Sequence, residues 1–274
     1  MKRTIAVELR EPSVALAAEI VYGHRFAWGN LSYQSLKLNL MRPRNGENLP
    51  LIVWLCGGAF TEVDRGVWIP DLAWFAKRGY AVAGVDYSTA YRSRFPEAAE
   101  DVKLAIRFLR AHAGEYGIDP RRVALMGESA GGYLSAFCAL TGKEKALDKG
   151  GYENYGSEVQ AAIPWYPPVR MAEMDTSLEK SSLPHDIANY ADLSAHLTAA
   201  APPFLILHGS GDTLVPLSQG ELLYDSLQKA GLDADMVVLE GAAHGDTAFV
   251  QEDVKRIILE FLEAKLPGPK GTAR

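Results

Sequence analysis

The segment RVALMGESAGGYLSAFCAL (residues 122–140) constrains the fold more than any other. An apolar run stops at Gly127, a turn of small residues around Ser129 follows, and an apolar run of helical length begins at once. A G-x-S-x-G pattern in that setting is a sharp strand-to-helix turn that lifts the serine hydroxyl clear of a sheet. Gly127 and Gly131 carry no Cβ, so other backbone can approach the turn. Ser129 then stands before a helix start, whose N–H groups face any negative charge that develops there.

The rest of the chain supplies the sheet. LIVWLC (51–56), AVAGVDY (81–87), RVALMG (122–127), VQAAIPW (159–165), PFLILHG (203–209) and DMVVLEG (235–241) read as strands buried on both faces, the habit of parallel sheets. EIVYGHRFAW (19–28) and LSYQSLKLNL (31–40) flank Gly29-Asn30, a hairpin signal. Helical periodicity joins Ala98, Val102, Ala105, Ile106 and Leu109. Ser218 and Glu221 form a capping-box pattern, predicting a helix through Leu223, Leu227 and Ala230 that stops at Gly231. A last helix carries Val250, Val254, Ile257, Ile258 and Phe261 on one face, with Pro267 beyond it. The expected fold is α/β: a mostly parallel eight-stranded sheet with an antiparallel N-terminal hairpin and helices on both faces. Residues 1–274 are read as one domain, with a small cap-like excursion around 167–201.

A serine hydroxyl is a weak nucleophile at neutral pH and needs a base. On this kind of scaffold the order along the chain is Ser, then Asp or Glu, then His. Asp212 follows the PFLILHG strand and His244 follows the DMVVLEG strand. Both therefore emerge at the edge where Ser129 stands, at the carboxyl ends of parallel strands. Ser129, Asp212 and His244 are the candidate catalytic residues, His244 taking the serine proton and Asp212 fixing the imidazole tautomer. His208 is the rival base, but it lies four residues before Asp212 and is expected to pack beside the acid. Asp246 is the rival acid, in the same loop as His244, and Glu128 is expected to support its own loop.

Acyl transfer also requires donors aimed at a tetrahedral oxyanion. One is the N–H of Ala130, after the nucleophile. The others are assigned to the backbone of Gly58 and Ala59, directly after the LIVWL strand. Trp165 and Tyr166, after another strand on the same edge, are candidate substrate-binding residues; the alternative is that they are core aromatics at a rigid turn.

Composition narrows the partners. Lys and Arg number 28 against 34 Asp and Glu, a formal net charge of −6, so the basic footprint of a nucleic-acid binder is absent. No apolar run reaches the length of a membrane span. The start, MKRTIAVELRE, has no apolar stretch fit for a secretory signal. With two cysteines, Cys56 and Cys138, a disulfide framework is not expected, and a cytoplasmic setting is. No metal or phosphate-binding motif is present and no cofactor is expected. The expected partner is a small-molecule acyl ester, with homo-oligomerisation left open.

With these residues in hand, the chain resembles the α/β-hydrolase superfamily. More narrowly it resembles the carboxylesterase branch near hormone-sensitive-lipase-type esterases and the bifunctional feruloyl/acetyl-xylan esterases. The likeness runs from IVYGHRFAW to the last helix and rests on DYSTAYRSRFPEAAEDVKLAIRFLRAHAGEYGIDPRRVALMGESAGG and on APPFLILHGSGDTLVPLSQGELLYDSLQKAGLDADMVVLEGAAHGD. It implies short acyl chains, often acetyl groups on sugars, and the same six site residues: Ser129, Asp212, His244, Gly58, Ala59 and Ala130. Cys56 stands where that branch usually has His, and Ala59 where it has a third Gly. An aryl formamidase or other amide hydrolase on the same scaffold, or a non-catalytic binder, are the competing readings.

Overall fold

The computed structural model describes residues 1–8, 10–27, 31–171 and 192–266. The N-terminal strands are β1 (Val14–Ala27) and β2 (Ser32–Pro43), followed by β3 (Leu49–Leu55) and helix α1 (Ile69–Ala76). Then come β4 (Ala81–Val85), α2 (Glu97–Ala111), the single turn α3 (Ala113–Tyr116), β5 (Ile118–Glu128) and α4 (Ala130–Leu140). β6 (Ala161–Trp165), β7 (Phe204–Gly209), α5 (Leu217–Lys229), β8 (Ala234–Leu239) and α6 (Glu252–Lys265) complete the chain.

The strands form one sheet in the order β1-β2-β4-β3-β5-β6-β7-β8. β1 pairs antiparallel with β2, and β2 antiparallel with β4; the remaining neighbours are parallel. The hairpin strands thus lie where the sequence predicts them, although the Gly29-Asn30 turn falls outside the described residues, as does most of the 167–201 excursion.

Period-two alternation divides the core. From β3, Leu51, Val53 and Leu55 point to one layer, with Val102, Ile106 and Leu109 of α2, Tyr133 and Phe137 of α4, and Leu223 and Leu227 of α5. Ile52 and Trp54 point to the other, with Leu72 and Phe75 of α1 and Val254, Ile258 and Phe261 of α6. Both faces of the sheet are covered, which is why every residue of β3 is buried. Because β3, β5, β7 and β8 run parallel, the loops after them open on one edge.

Three local expectations are corrected. Helix α5 starts at Leu217 after Pro216 with no side-chain cap, so Ser218 sits inside the first turn and cannot serve as the capping residue. Gly231 does end the helix, with φ +70°. Val250 belongs to a separate 3₁₀ turn (Thr247–Val250), and Ile257 is exposed, so the buried stripe of α6 is narrower than its periodicity suggests. Helix α1, with Pro70 in its first turn, gave too short an apolar pattern to be read from the sequence.

The α2 helix carries two basic side chains into the interior. Lys103 donates to the Thr141 carbonyl (2.7 Å) at the carboxyl end of α4 and to Ser157 Oγ (3.1 Å). Arg107 donates to Asp148 Oδ1 and to the Gly151 carbonyl, each at 3.1 Å, and also to the Lys149 carbonyl. Both side chains are fully shielded from water. A buried charge is tolerable only when its donors are satisfied, and here carbonyls of the segment after α4 satisfy them. Arg107→Ala should therefore lower the unfolding free energy by about 3 kcal/mol or more, since it strips a buried carboxylate of one partner. Denaturant unfolding of the variant against wild type checks this; a change below about 1 kcal/mol would contradict the clamp.

Candidate active site

The turn after β5 has the geometry its sequence demands. Ser129 sits at φ 54° and ψ −119°, a left-handed conformation that a non-glycine residue holds only at a cost of about 1–3 kcal/mol. The Ser129 N–H donates to the Trp165 carbonyl (3.0 Å), and the Ser129 carbonyl accepts from Tyr133 N–H (2.9 Å), opening α4. A Cβ on Gly131 would stand 2.0 Å from the Leu55 carbonyl oxygen, so only glycine lets the elbow close against the end of β3.

The structure brings Ser129, His244 and Asp212 together. His244 Nε2 lies 2.9 Å from Ser129 Oγ, and His244 Nδ1 lies 2.7 Å from Asp212 Oδ2. Those partners fix the tautomer: Nδ1–H donates to the carboxylate, and Nε2 accepts from the serine hydroxyl. The other oxygen of Asp212 accepts the N–H groups of Leu214 (2.9 Å) and Val215 (2.8 Å), and the side chain is wholly buried. A carboxylate held by three donors cannot rotate away from the imidazole.

The rivals have other roles. His208 is buried in β7; its Nε2 donates to the Val215 carbonyl (2.9 Å) and lies 3.7 Å from Asp212 Oδ2. Its Nδ1 meets no partner among the described residues. Burial accordingly holds the ring neutral, with its pKa below the ordinary imidazole value. Asp246 caps the 3₁₀ turn by accepting from Ala248 N–H (2.9 Å) instead of reaching His244, and that bond lowers its pKa.

The loop after β3 turns left-handed at three successive residues, Gly58 (φ 125°), Ala59 (51°) and Phe60 (61°). The Gly58 carbonyl accepts from Thr61 N–H (2.9 Å) and Glu62 N–H (3.0 Å). Among the described residues, neither the Gly58 nor the Ala59 N–H donates to a partner in the chain. Ala130, the first residue of α4, likewise has an N–H outside the helical ladder. Glu128 supports this loop: its carboxylate accepts from Gly57 N–H (2.8 Å), from the Trp68 indole N–H (3.1 Å) and from the Tyr166 hydroxyl (2.8 Å). A cavity of about 680 Å³ adjoins it, walled in part by Gly57, Gly58, Trp68, Tyr91, Arg92 and Glu128.

The expectation that Trp165 and Tyr166 line a substrate pocket is corrected. Trp165 is 2% exposed and Tyr166 fully buried, and both rings pack on Phe249. They are core aromatics beneath the site, and the Tyr166 ring meets the His244 ring edge-on at 4.6 Å. Cys56 is buried too, and burial pushes its thiol up to about 12, so it stays protonated and is no rival nucleophile. Trp68 and Tyr166 as partners of Glu128 were not legible in the sequence, because each comes from a different segment. Among the described residues no group of side chains could hold a metal ion, and no helix is long and apolar enough to cross a membrane.

With this geometry in place, comparison with known proteins assigns the family. The sequence model of the BD-FAE family matches residues 38–227, more than half of the chain. The chain belongs to the BD-FAE family. A probable carboxylic ester hydrolase of Mycobacterium tuberculosis, LipM, is 33% identical over 195 residues, covering 66% of this chain and 45% of that protein. The chain spans about half the length of the curated relatives it matches first. The propionate-bound Est2 esterase of Thermogutta terrifontis superposes with TM-score 0.74 at 28% identity, over 93% of this chain and 97% of that one. A truncated carbohydrate esterase from gut microbiota has TM-score 0.82 at 22% identity, over 94% of this chain and 100% of that one, a likeness of fold. The architecture is the α/β-hydrolase fold.

The neutral His208 beside Asp212 generates a pH prediction. Its folded pKa lies below the unfolded value, so the unfolded chain binds the extra proton first. Its contribution to stability is present above about pH 6.5 and is lost as pH falls below that. Unfolding free energy measured against pH should fall less steeply below about pH 6.5 in His208→Gln than in wild type; equal slopes would remove His208 from the account.

Proposed function

We propose that this chain is a serine carboxylesterase that hydrolyses short-chain acyl esters through an acyl-enzyme intermediate. The observation that carries the reading is the unbroken hydrogen-bond series from Ser129 Oγ through His244 to Asp212, at 2.9 and 2.7 Å. The named activities of the LipM and Est2 relatives agree with it.

In the first half-reaction Ser129 Oγ attacks the ester carbonyl carbon while His244 Nε2 takes its proton. The carbonyl oxygen becomes an oxyanion, and the N–H groups of Gly58, Ala59 and Ala130 are the donors assigned to it. Asp212 stabilises the imidazolium without taking its proton. Collapse of the tetrahedral intermediate breaks the bond to the alcohol oxygen, which leaves with the proton held on His244 Nε2. Water then attacks the acyl-serine, His244 accepts its proton, and the carboxylic acid departs with Ser129 restored.

A short acyl group is the reading favoured by the propionate-bound Est2 neighbour. An acetyl group on a carbohydrate is one member of that class. The alcohol half is assigned to the partly polar cavity beside the Gly58 loop, where Thr61, Tyr91 and Arg92 supply hydrogen-bonding groups.

Hydrolysis of a p-nitrophenyl ester series tests this. Turnover should peak between acetyl and butyryl, and Ser129→Ala and His244→Ala should each lower kcat by about 10⁴-fold or more with the fold intact. Retained turnover in Ser129→Ala would remove the mechanism, and a larger loss in His208→Ala than in His244→Ala would reassign the base. A peak at long acyl chains would overturn the substrate class.

A further inference from the structure

We propose that Glu128 is a positioning residue whose single carboxylate sets the oxyanion loop and the wall behind His244 in one geometry; this rests on the esterase reading above. Three donors from three distant segments converge on it. Oε1 accepts the Gly57 N–H at 2.8 Å and the Trp68 indole N–H at 3.1 Å, and Oε2 accepts the Tyr166 hydroxyl at 2.8 Å. An ionised carboxylate is an acceptor on both oxygens, and charge-assisted bonds are roughly twice as strong as neutral ones. Among ionised side chains only the carboxylates of Asp and Glu offer two acceptor oxygens and no donor.

Each donor touches a different working part. Gly57 directly precedes Gly58 and Ala59, so the bond to its N–H anchors the start of the loop that carries the next two N–H groups. A Cβ on Gly57 would stand 2.9 Å from Glu128 Oε1, so the missing side chain leaves the carboxylate its place there. Trp68 directly precedes α1 and packs edge-on against Trp54 and Trp165, so its indole is a rigid donor and not a mobile one. Tyr166 holds a left-handed φ of 35° and lies edge-on to the His244 ring at 4.6 Å. Glu128 itself is the residue before Ser129. The carboxylate therefore ties nucleophile, oxyanion loop and base together without meeting the reacting atoms.

Such a role has a kinetic signature that simple support of the fold lacks. Orientation of oxyanion donors is felt only when the oxyanion forms, so its loss lowers kcat and leaves KM nearly unchanged. Glu128→Ala should lower kcat by about 10²–10³-fold, the range for a lost oxyanion donor, with KM within about threefold. Glu128→Gln keeps one acceptor oxygen for Gly57 and Trp68 and should recover most of that loss, remaining about tenfold below wild type. Both are measured on the ester giving highest turnover, at a temperature where thermal unfolding shows each variant folded.

A kcat within twofold of wild type in Glu128→Ala, or a loss confined to KM, would overturn the inference. So would a Glu128→Gln variant as impaired as Glu128→Ala. Should the alanine variant not fold, the glutamine variant decides alone: a loss of about tenfold in kcat with unchanged KM supports the role, and a kcat within twofold of wild type overturns it. A wild-type chain that cleaves no ester fails the esterase reading and this inference with it; an active wild type with unimpaired variants fails the inference alone.

Discussion

A methyl group on residue 131 would stand 2.0 Å from the carbonyl oxygen of Leu55, and the site depends on its absence. The end of β3 and the elbow after β5 are thereby pressed into contact. That contact places the Gly58 loop, which leaves β3, next to Ser129, which leaves β5. Parallel pairing does the rest: β7 and β8 deliver Asp212 and His244 to the same edge. Ser129 in turn carries a left-handed backbone that the surrounding ladder must sustain, through Trp165 on one side and Tyr133 on the other. The strain is stored where the hydroxyl must project, and the two-layered core meets its cost.

The parts of this arrangement that were legible in the sequence are those set by local pattern. Buried strands show as continuous apolar runs, and the elbow shows because a strand, Gly127, Ser129, Gly131 and a helix follow each other without interruption. Asp212 and His244 could be picked because chain order and strand ends restrict where an acid and a base can stand. What was illegible depends on contacts between distant segments. The pairing of Glu128 with Gly57, Trp68 and Tyr166 spans three loops, and nothing in GESAGG distinguishes such a carboxylate from a solvated one. Trp165 and Tyr166 were misplaced for the same reason. Their position after a strand on the active edge suits a pocket lining, but Trp54, Trp68 and Phe249 bury them. The Ser218 pattern fails because Pro216 already holds the cap position of α5, two residues before the serine.

The Gly58 loop also shows how one support can replace another. Cys56 occupies the position where related esterases are expected to carry histidine, and its buried, protonated thiol meets the loop only through sulfur's weak hydrogen bonding, to the backbone of Asp64. The loop is instead held from both sides. The Cys56 carbonyl accepts from the buried Tyr87 hydroxyl at 2.7 Å, and the Gly57 N–H donates to Glu128. Beneath the acid, His208 fixes the Val215 carbonyl, and Val215 N–H fixes Asp212. Each working group is thus oriented by a buried polar partner with little freedom to reorganise, which is the condition under which electrostatic stabilisation of a transition state is most effective.

The proposed esterase activity rests on His244 and Asp212 making Ser129 a nucleophile, which a phosphate triester with a good leaving group would trap as a stable adduct. The most direct test is peptide-mapping mass spectrometry after brief exposure to diethyl p-nitrophenyl phosphate at near-stoichiometric concentration. One diethylphosphoryl adduct per chain is expected, on the peptide containing Ser129, and none on the His244→Ala variant over the same time. An unmodified Ser129 in wild type, or an adduct carried by Cys56 or another residue instead, would contradict it.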